Sequence, residues 1–249
     1  MSYLQSFFSS VIQLNLYWVV FIALIYVLIH SYRNKPINQI LDIYLNYIPV
    51  LTHEFGHILF NKISGGKAKD LVIVSSPAER IETSQQGFAI TQSKSRLGQV
   101  VTTFGGYVMP PLMLFIGFWA LDSQYPSLFI TAYLIIFIYF LILTSRKLLP
   151  IIIVILLFAL LYFLFQSDNQ LMMFYIVAIT YHFILGVLLG EVIQSSWTIF
   201  KLTFSHQSVT WDGSTLKSLT YIPTFVFSTI WIATNLFTIY QLIHAYFTT

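Results

Sequence analysis

Tyr47-Ile48-Pro49-Val50-Leu51-Thr52-His53-Glu54-Phe55-Gly56-His57-Ile58-Leu59-Phe60 sets two histidines and a glutamate inside an apolar run. Histidines four apart on a helix lie on one face, one turn apart, and can grip a single zinc ion. The glutamate beside the first can then act as general base on a metal-bound water. The run covers about 43–63, enough to enter a bilayer, where ionisable residues are costly and usually functional. Average residue frequencies yield His-Glu-x-x-His in a chain of this length about once in a hundred cases. The rival reading is a pair of packing histidines with a glutamate partner. The cost of a buried, unpaired carboxylate weighs against it.

Outward from this run the composition is that of a membrane protein. Of 249 residues 57% are hydrophobic and only 8% are charged, where a soluble domain carries about 25% charge. So few charges cannot cover a water-soluble surface of this size. With no cysteine, disulfides, thiolate ligands and a cysteine nucleophile are excluded together, and any metal must be held by His, Asp or Glu. The net charge of +3 needs no nucleic acid, because basic residues flanking membrane helices account for it.

A span needs about 20 mostly apolar residues. The hydropathy pattern predicts an all-α, multi-pass bundle forming one domain over 1–249. It has about seven spans, at about 7–31, 43–63, 97–121, 126–143, 148–166, 170–200 and 219–247. No basic residue precedes the first run and no small-residue site follows it, so a cleaved signal peptide is not expected. The polar insert at 65–96 carries two strand-like runs, Leu71–Val74 and Gly87–Thr91, separated by Pro77 and the polar stretch Glu79–Gln86. It reads as a small β-hairpin or sheet.

With seven spans, ten basic residues from Lys62 to Lys217 collect on one side, against Arg33 and Lys35 on the other. The basic side is then cytoplasmic, with the amino terminus inside and the carboxyl terminus outside. A variant makes 43–63 re-entrant and brings Arg33 and Lys35 to the basic side. Either way His57 lies near the cytoplasmic face.

Catalytic zinc takes three protein ligands and leaves one position open. Candidates for the third are Asp212, Glu191, His182, His206 and the loop carboxylates. Asp212, in Thr210-Trp211-Asp212-Gly213-Ser214, matches the expected depth of His57. The same aspartate also reads as the N-cap of the last span. Glu191 follows the small-xxx-small run Gly186-Val187-Leu188-Leu189-Gly190 and reads either as a bundle-pairing carboxylate or as a replacement ligand. His182 and His244 read as packing or interfacial residues, and the many Tyr and Phe as lipid-facing or core material. Gly105-Gly106-Tyr107-Val108-Met109-Pro110-Pro111 reads as a helix contact, a kink, or both.

Thr52-His53-Glu54-Phe55-Gly56-His57, Gly65-Gly66 and the β insert resemble site-two protease-type intramembrane zinc metallopeptidases. Gly105-Gly106-Tyr107 with Pro110, and Trp211-Asp212-Gly213, extend the likeness from about Thr52 to Trp231. Within that family the chain is similar to small bacterial members without a PDZ domain. The resemblance implies that His53, His57 and Asp212 bind Zn2+ and that Glu54 is catalytic. One departure is that Thr210-Trp211 stands where the family has Asn-Pro before Asp-Gly.

The implied activity is zinc-dependent cleavage of transmembrane or membrane-associated protein segments, in a bacterial cell membrane and towards the cytoplasm. A substrate helix must unwind before attack, because its peptide bonds are protected by their own hydrogen bonds. An exposed strand edge, at Val72-Ile73-Val74 or Phe88-Ala89-Ile90, offers a place to hold it by strand addition. Two other classes compete. A zinc transporter would spread its ligands along a path through the membrane. A non-catalytic pseudoprotease would have less use for an intact Glu54.

Overall fold

Lacking an amide hydrogen, Pro49 cannot bond the carbonyl of Leu45, and the chain turns at Asn46 rather than running as one helix over 43–63. In the computed structural model, which describes residues 7, 12–83, 85–166, 170–205 and 209–247, the segment is divided in two. Helix α1 is Leu16–Ser31, capped by the Asn15 side chain on the Tyr17 amide. It starts later than the expected first span, whose positions 8–11 lie outside the described residues. Helix α2 is Pro36–Leu45 and α3, carrying the histidine pair, is Tyr47–Ile63.

The insert is a two-stranded antiparallel sheet, as its composition predicts, with a helix between the strands that composition did not reveal. Strand β1 (Lys67–Ile73) pairs with β2 (Gly87–Gln92), joined through α4 (Pro77–Thr83). A register irregularity between Ala68 and Asp70 frees the Asp70 carboxylate to accept hydrogen bonds from the Ser145 and Leu71 amides, both at 2.8 Å. Arg146 pairs with Glu79 of α4. The insert is therefore fastened to the link after α6.

The remaining helices are α5 (Arg96–Asp122), α6 (Pro126–Leu143), α7 (Leu148–Gln166), α8 (Gln170–Phe204), α9 (Asp212–Thr220) and α10 (Thr224–Phe247). Pro110 and Pro111 sit inside α5, which continues through them. The expected last span is shorter than read. Tyr221 takes a left-handed conformation (φ 63°) and Pro223 follows, so α9 stands apart from α10. Among the described residues four helices are long and apolar enough to cross a membrane: α5, α6, α8 and α10. Seven such spans are not found among the described residues; α1 has 16 residues, and the stretch Leu148–Leu160 of α7 is also short.

Helix directions follow from pairwise contacts. His57 meets the Thr102 carbonyl and Ser64 meets that of Gly98, so α3 is antiparallel to α5. Phe104 meets Trp231 and Phe118 meets Tyr246, so α10 is parallel to α5. Asn235 meets Val192 and Thr203 meets Ser228, so α8 opposes α10. Asn15 meets His182 and Tyr26 meets Glu191, so α1 is parallel to α8. Helices α1 and α3 therefore run the same way. Between them α2 returns only ten residues, about 15 Å, or half a bilayer core of about 30 Å. This is the re-entrant arrangement, and it corrects the full span expected over 43–63. Arg33 and Lys35 move to the end of the bundle that carries Lys62. The start of α1 moves to the opposite end.

The Gly186–Gly190 run does what its spacing predicts. It packs on α1, where a β-carbon at Gly190 would fall 2.6 Å from the Tyr26 ring.

Candidate active site

On α3 the Nε2 atoms of His53 and His57 face each other at 3.2 Å. Asp212, the first residue of α9, brings Oδ2 to 3.4 Å from each. A tetrahedral ion with bonds of about 2.05 Å sets its ligand atoms about 3.3 Å apart. The triangle of 3.2, 3.4 and 3.4 Å is the face such an ion would sit on, so the two-nitrogen, one-oxygen donor set fits zinc in size and in chemistry. His57 Nδ1–H donates to the Thr102 carbonyl at 2.9 Å, which fixes the ring and leaves Nε2 facing the cluster.

Three features hold this geometry. Gly106 of α5 leaves room for the imidazoles: a β-carbon there would lie 2.5 Å from His57 Nε2 and 2.7 Å from His53 Nε2. Aromatic rings wall the cluster. Tyr107 lies edge-on to His53 at 4.7 Å between centroids and against Trp231 at 4.8 Å, with Trp211 beyond it at 6.2 Å. Trp211 also starts α9: its amide and carbonyl both bond Ser214 Oγ, at 2.9 and 2.8 Å. Asp212 does not serve as the N-cap of the last span. Trp211 holds the cap position, and the Asp212 carboxylate points at the histidines. Burial opposes its ionisation, but the His57 and His53 imidazoles hold its carboxyl below the usual carboxylate range. It is an anionic donor.

Glu54, buried on the same helix, lies against the start of β2, where a β-carbon on Gly87 would fall 3.3 Å from its Cγ. The insert thus lies along the motif helix. The two prolines of α5 add a consequence of covalent structure. Pro110 and Pro111 cannot donate to the carbonyls of Gly106 and Tyr107, which are left without their usual helical partners beside the cluster.

His53, Glu54 and Asp212 open on a cavity of about 310 Å³ that Glu191 and His30 also line. Glu191 is not among the clustered donors; its Oε2 meets the Tyr26 hydroxyl at 2.5 Å, and the same hydroxyl reaches Asn46 Oδ1. Asn46 Nδ2 donates to Asp42 Oδ1 at 2.7 Å, His30 Nδ1–H donates to the same carboxylate at 2.9 Å, and Arg80 pairs with it too. The expected bundle partner of Glu191 is therefore a polar chain running to the insert. His182 packs as expected, its Nε2 accepting from the Asn15 amide at 2.9 Å. His244 lies beside Tyr240, away from the cluster. His206 lies outside the described residues.

Reading the sequence missed the wall of Tyr107, Trp211 and Trp231: it took the many Tyr and Phe for lipid-facing or core material and gave the two tryptophans no walling role. It also missed Gln194, Ser195 and Thr198, which line the cavity with Glu191. Their signal was available: with Glu191 they stand at i, i+3, i+4 and i+7 in an apolar helix, which is a polar stripe.

The chain has no match among curated proteins, and none among solved structures. The histidine-glutamate helix, the glycine-bearing helix behind it and the late Asp-Gly occur in one chain order inside an apolar bundle. Residues 17–242 match the family model described as Peptidase M50B-like, and the chain belongs to that family of membrane metalloproteases.

Proposed function

We propose that the chain is a zinc-dependent intramembrane endopeptidase that cuts membrane-protein segments near the cytoplasmic face of a bacterial cell membrane. The observation that carries this reading is the triangle of His53, His57 and Asp212 donor atoms, with Glu54 on the same cavity. His53 and His57 through Nε2, and Asp212 through Oδ2, would hold the ion. Zinc held there supplies Lewis acidity, activating a water and polarising the scissile carbonyl. Glu54 takes the proton of the attacking water and passes it to the leaving amine. The start of β2, with Gly87 packed against the Glu54 side chain, limits the room that carboxylate has to swing away between the two transfers.

Convergence of the three donors on one point favours a catalytic centre over a transport path. Sidedness rests on charge. With α1 and α3 running the same way, Arg33 and Lys35 join the other basic residues at one end, the pattern of a cytoplasmic face. The partners in this reading are the lipid bilayer and a transmembrane or membrane-associated protein substrate.

The deciding experiment compares wild type with Glu54→Gln in detergent, measuring bound zinc and cleavage of a transmembrane peptide. Glu54→Gln keeps one zinc per chain and loses cleavage by at least a hundredfold, the scale of general acid-base catalysis. Equal cleavage by both proteins rejects the mechanism.

A further inference from the structure

We propose that Gln194 and Thr198 of α8 hold the main chain of the substrate segment after it has left its helix. The inference rests on the endopeptidase reading and adds a substrate-positioning surface to it. Glu191, Gln194, Ser195 and Thr198 recur at one face of the longest apolar helix, and all four line the cavity that His53, Glu54 and Asp212 share. Two of them are engaged within the bundle. Glu191 Oε2 meets Tyr26, and Ser195 Oγ bonds the Val192 carbonyl and Asn235 Nδ2.

The other two are free among the described residues: neither the Gln194 amide nor the Thr198 hydroxyl has a hydrogen-bond partner. Thr198 stands out on this count. Ser196, Thr203 and Thr234 each return their hydroxyl to the carbonyl one turn back, as hydroxyls in apolar helices do. Both residues are half-buried on the cavity side.

The chemistry selects the occupant. A helix in lipid has no water to replace its backbone hydrogen bonds, so a segment that unwinds for attack needs protein partners at once. A carboxamide offers one acceptor and two donors, and a hydroxyl offers both roles. Neither carries charge, so they suit peptide N–H and C=O groups and not an ionised side chain. A cavity of about 310 Å³ falls at the small end of the usual 300–1,000 Å³ range for bound ligands, which suits a short segment.

Backbone esters test the idea, since each replaces one peptide N–H of the substrate with oxygen. Zinc-loaded wild type, Gln194→Leu and Thr198→Val would be given a transmembrane peptide and its single-ester series around the scissile bond. In wild type an ester at one or two positions lowers kcat/KM by about five- to tenfold, the worth of one hydrogen bond. Each substitution lowers cleavage of the all-amide peptide to a similar extent, whatever side chains the peptide carries. At the matching position the ester then costs the variant nothing further. Zinc content of both variants equals that of wild type, which separates this effect from damage to the metal site. Ester losses that are the same in wild type and variants at every position overturn the proposal, as do variant losses that depend on the peptide's side chains. If zinc-loaded wild type cuts no transmembrane peptide, the endopeptidase reading fails and this inference with it. Cleavage with purely additive losses sinks only the role of Gln194 and Thr198.

Discussion

Gly106 shows how one missing methyl group can decide a site. Alanine in a helix interior is about 1 kcal/mol more favourable than glycine, so Gly106→Ala would stabilise an ordinary helix. Here the added β-carbon would sit 2.5 Å from the His57 ring, and either the imidazole or α5 must give way. Gly106→Ala is expected to weaken zinc binding at least tenfold in a chelator competition, with no loss of melting temperature in the metal-free protein. Unchanged zinc affinity would show that the histidines have room to spare. The third ligand is open to an equally direct comparison. Asp212→Ala should lose the metal and Glu191→Ala should keep it; the reverse pattern would reassign the ligand to Glu191.

At the scale of elements, the insert and the α6–α7 link meet through Asp70. Burial works against ionisation of this carboxyl, but hydrogen bonds from Ser145 and Leu71 outweigh it and leave its pKa lowered. A depressed pKa means stability that is present above the unfolded value, near 3.9, and lost as pH falls through the folded one. Hydrogen exchange of the β1 amides, corrected for its intrinsic pH dependence, should therefore speed up as the pH drops below about 4. Asp70→Asn should show the fast rate already at neutral pH. The effect is small, under about 1 kcal/mol, because Asp70 is only partly buried. A pH-independent rate in wild type would mean that the clamp does not hold the insert. Some helix starts have a local cause, since Asn15 and Ser95 cap α1 and α5 through their own side chains, yet the apolar residues before Asn15 carried the expected first span back to about position 7. The turn at Asn46 was signalled by Pro49, but the apolar run through it masked the signal. Short helix α4 had no such sign, because Pro77 and its polar neighbours suit a loop as well as a turn of helix.

On the scale of the whole molecule, the parallel course of α1 and α3 changes which residues share a side. The absence of native cysteine makes this easy to measure. Single substitutions Lys35→Cys and Lys147→Cys, in cells treated with a membrane-impermeant maleimide, are expected to be protected equally and to label only after the cytoplasmic side is opened. Labelling of Lys35→Cys alone from outside would restore a full span over 43–63. Hydropathy could not make this choice, because a run of apolar residues has the same composition whether the chain crosses the bilayer or turns back within it.

The chain's own letters determined the membrane setting, the histidine pair with its glutamate, and the sheet in the insert, because composition and spacing along one element carry that information. They left Asp212 level between ligand and cap, marked Gly105-Gly106 only as a helix contact or kink without saying what it faces, and were silent on the aromatic wall. Those depend on α3, α5 and α9 meeting at one point, 155 residues of chain apart between His57 and Asp212 (212 − 57). Only packing in three dimensions brings a third donor to within 3.4 Å of two others, since no local rule relates residues so distant along the backbone.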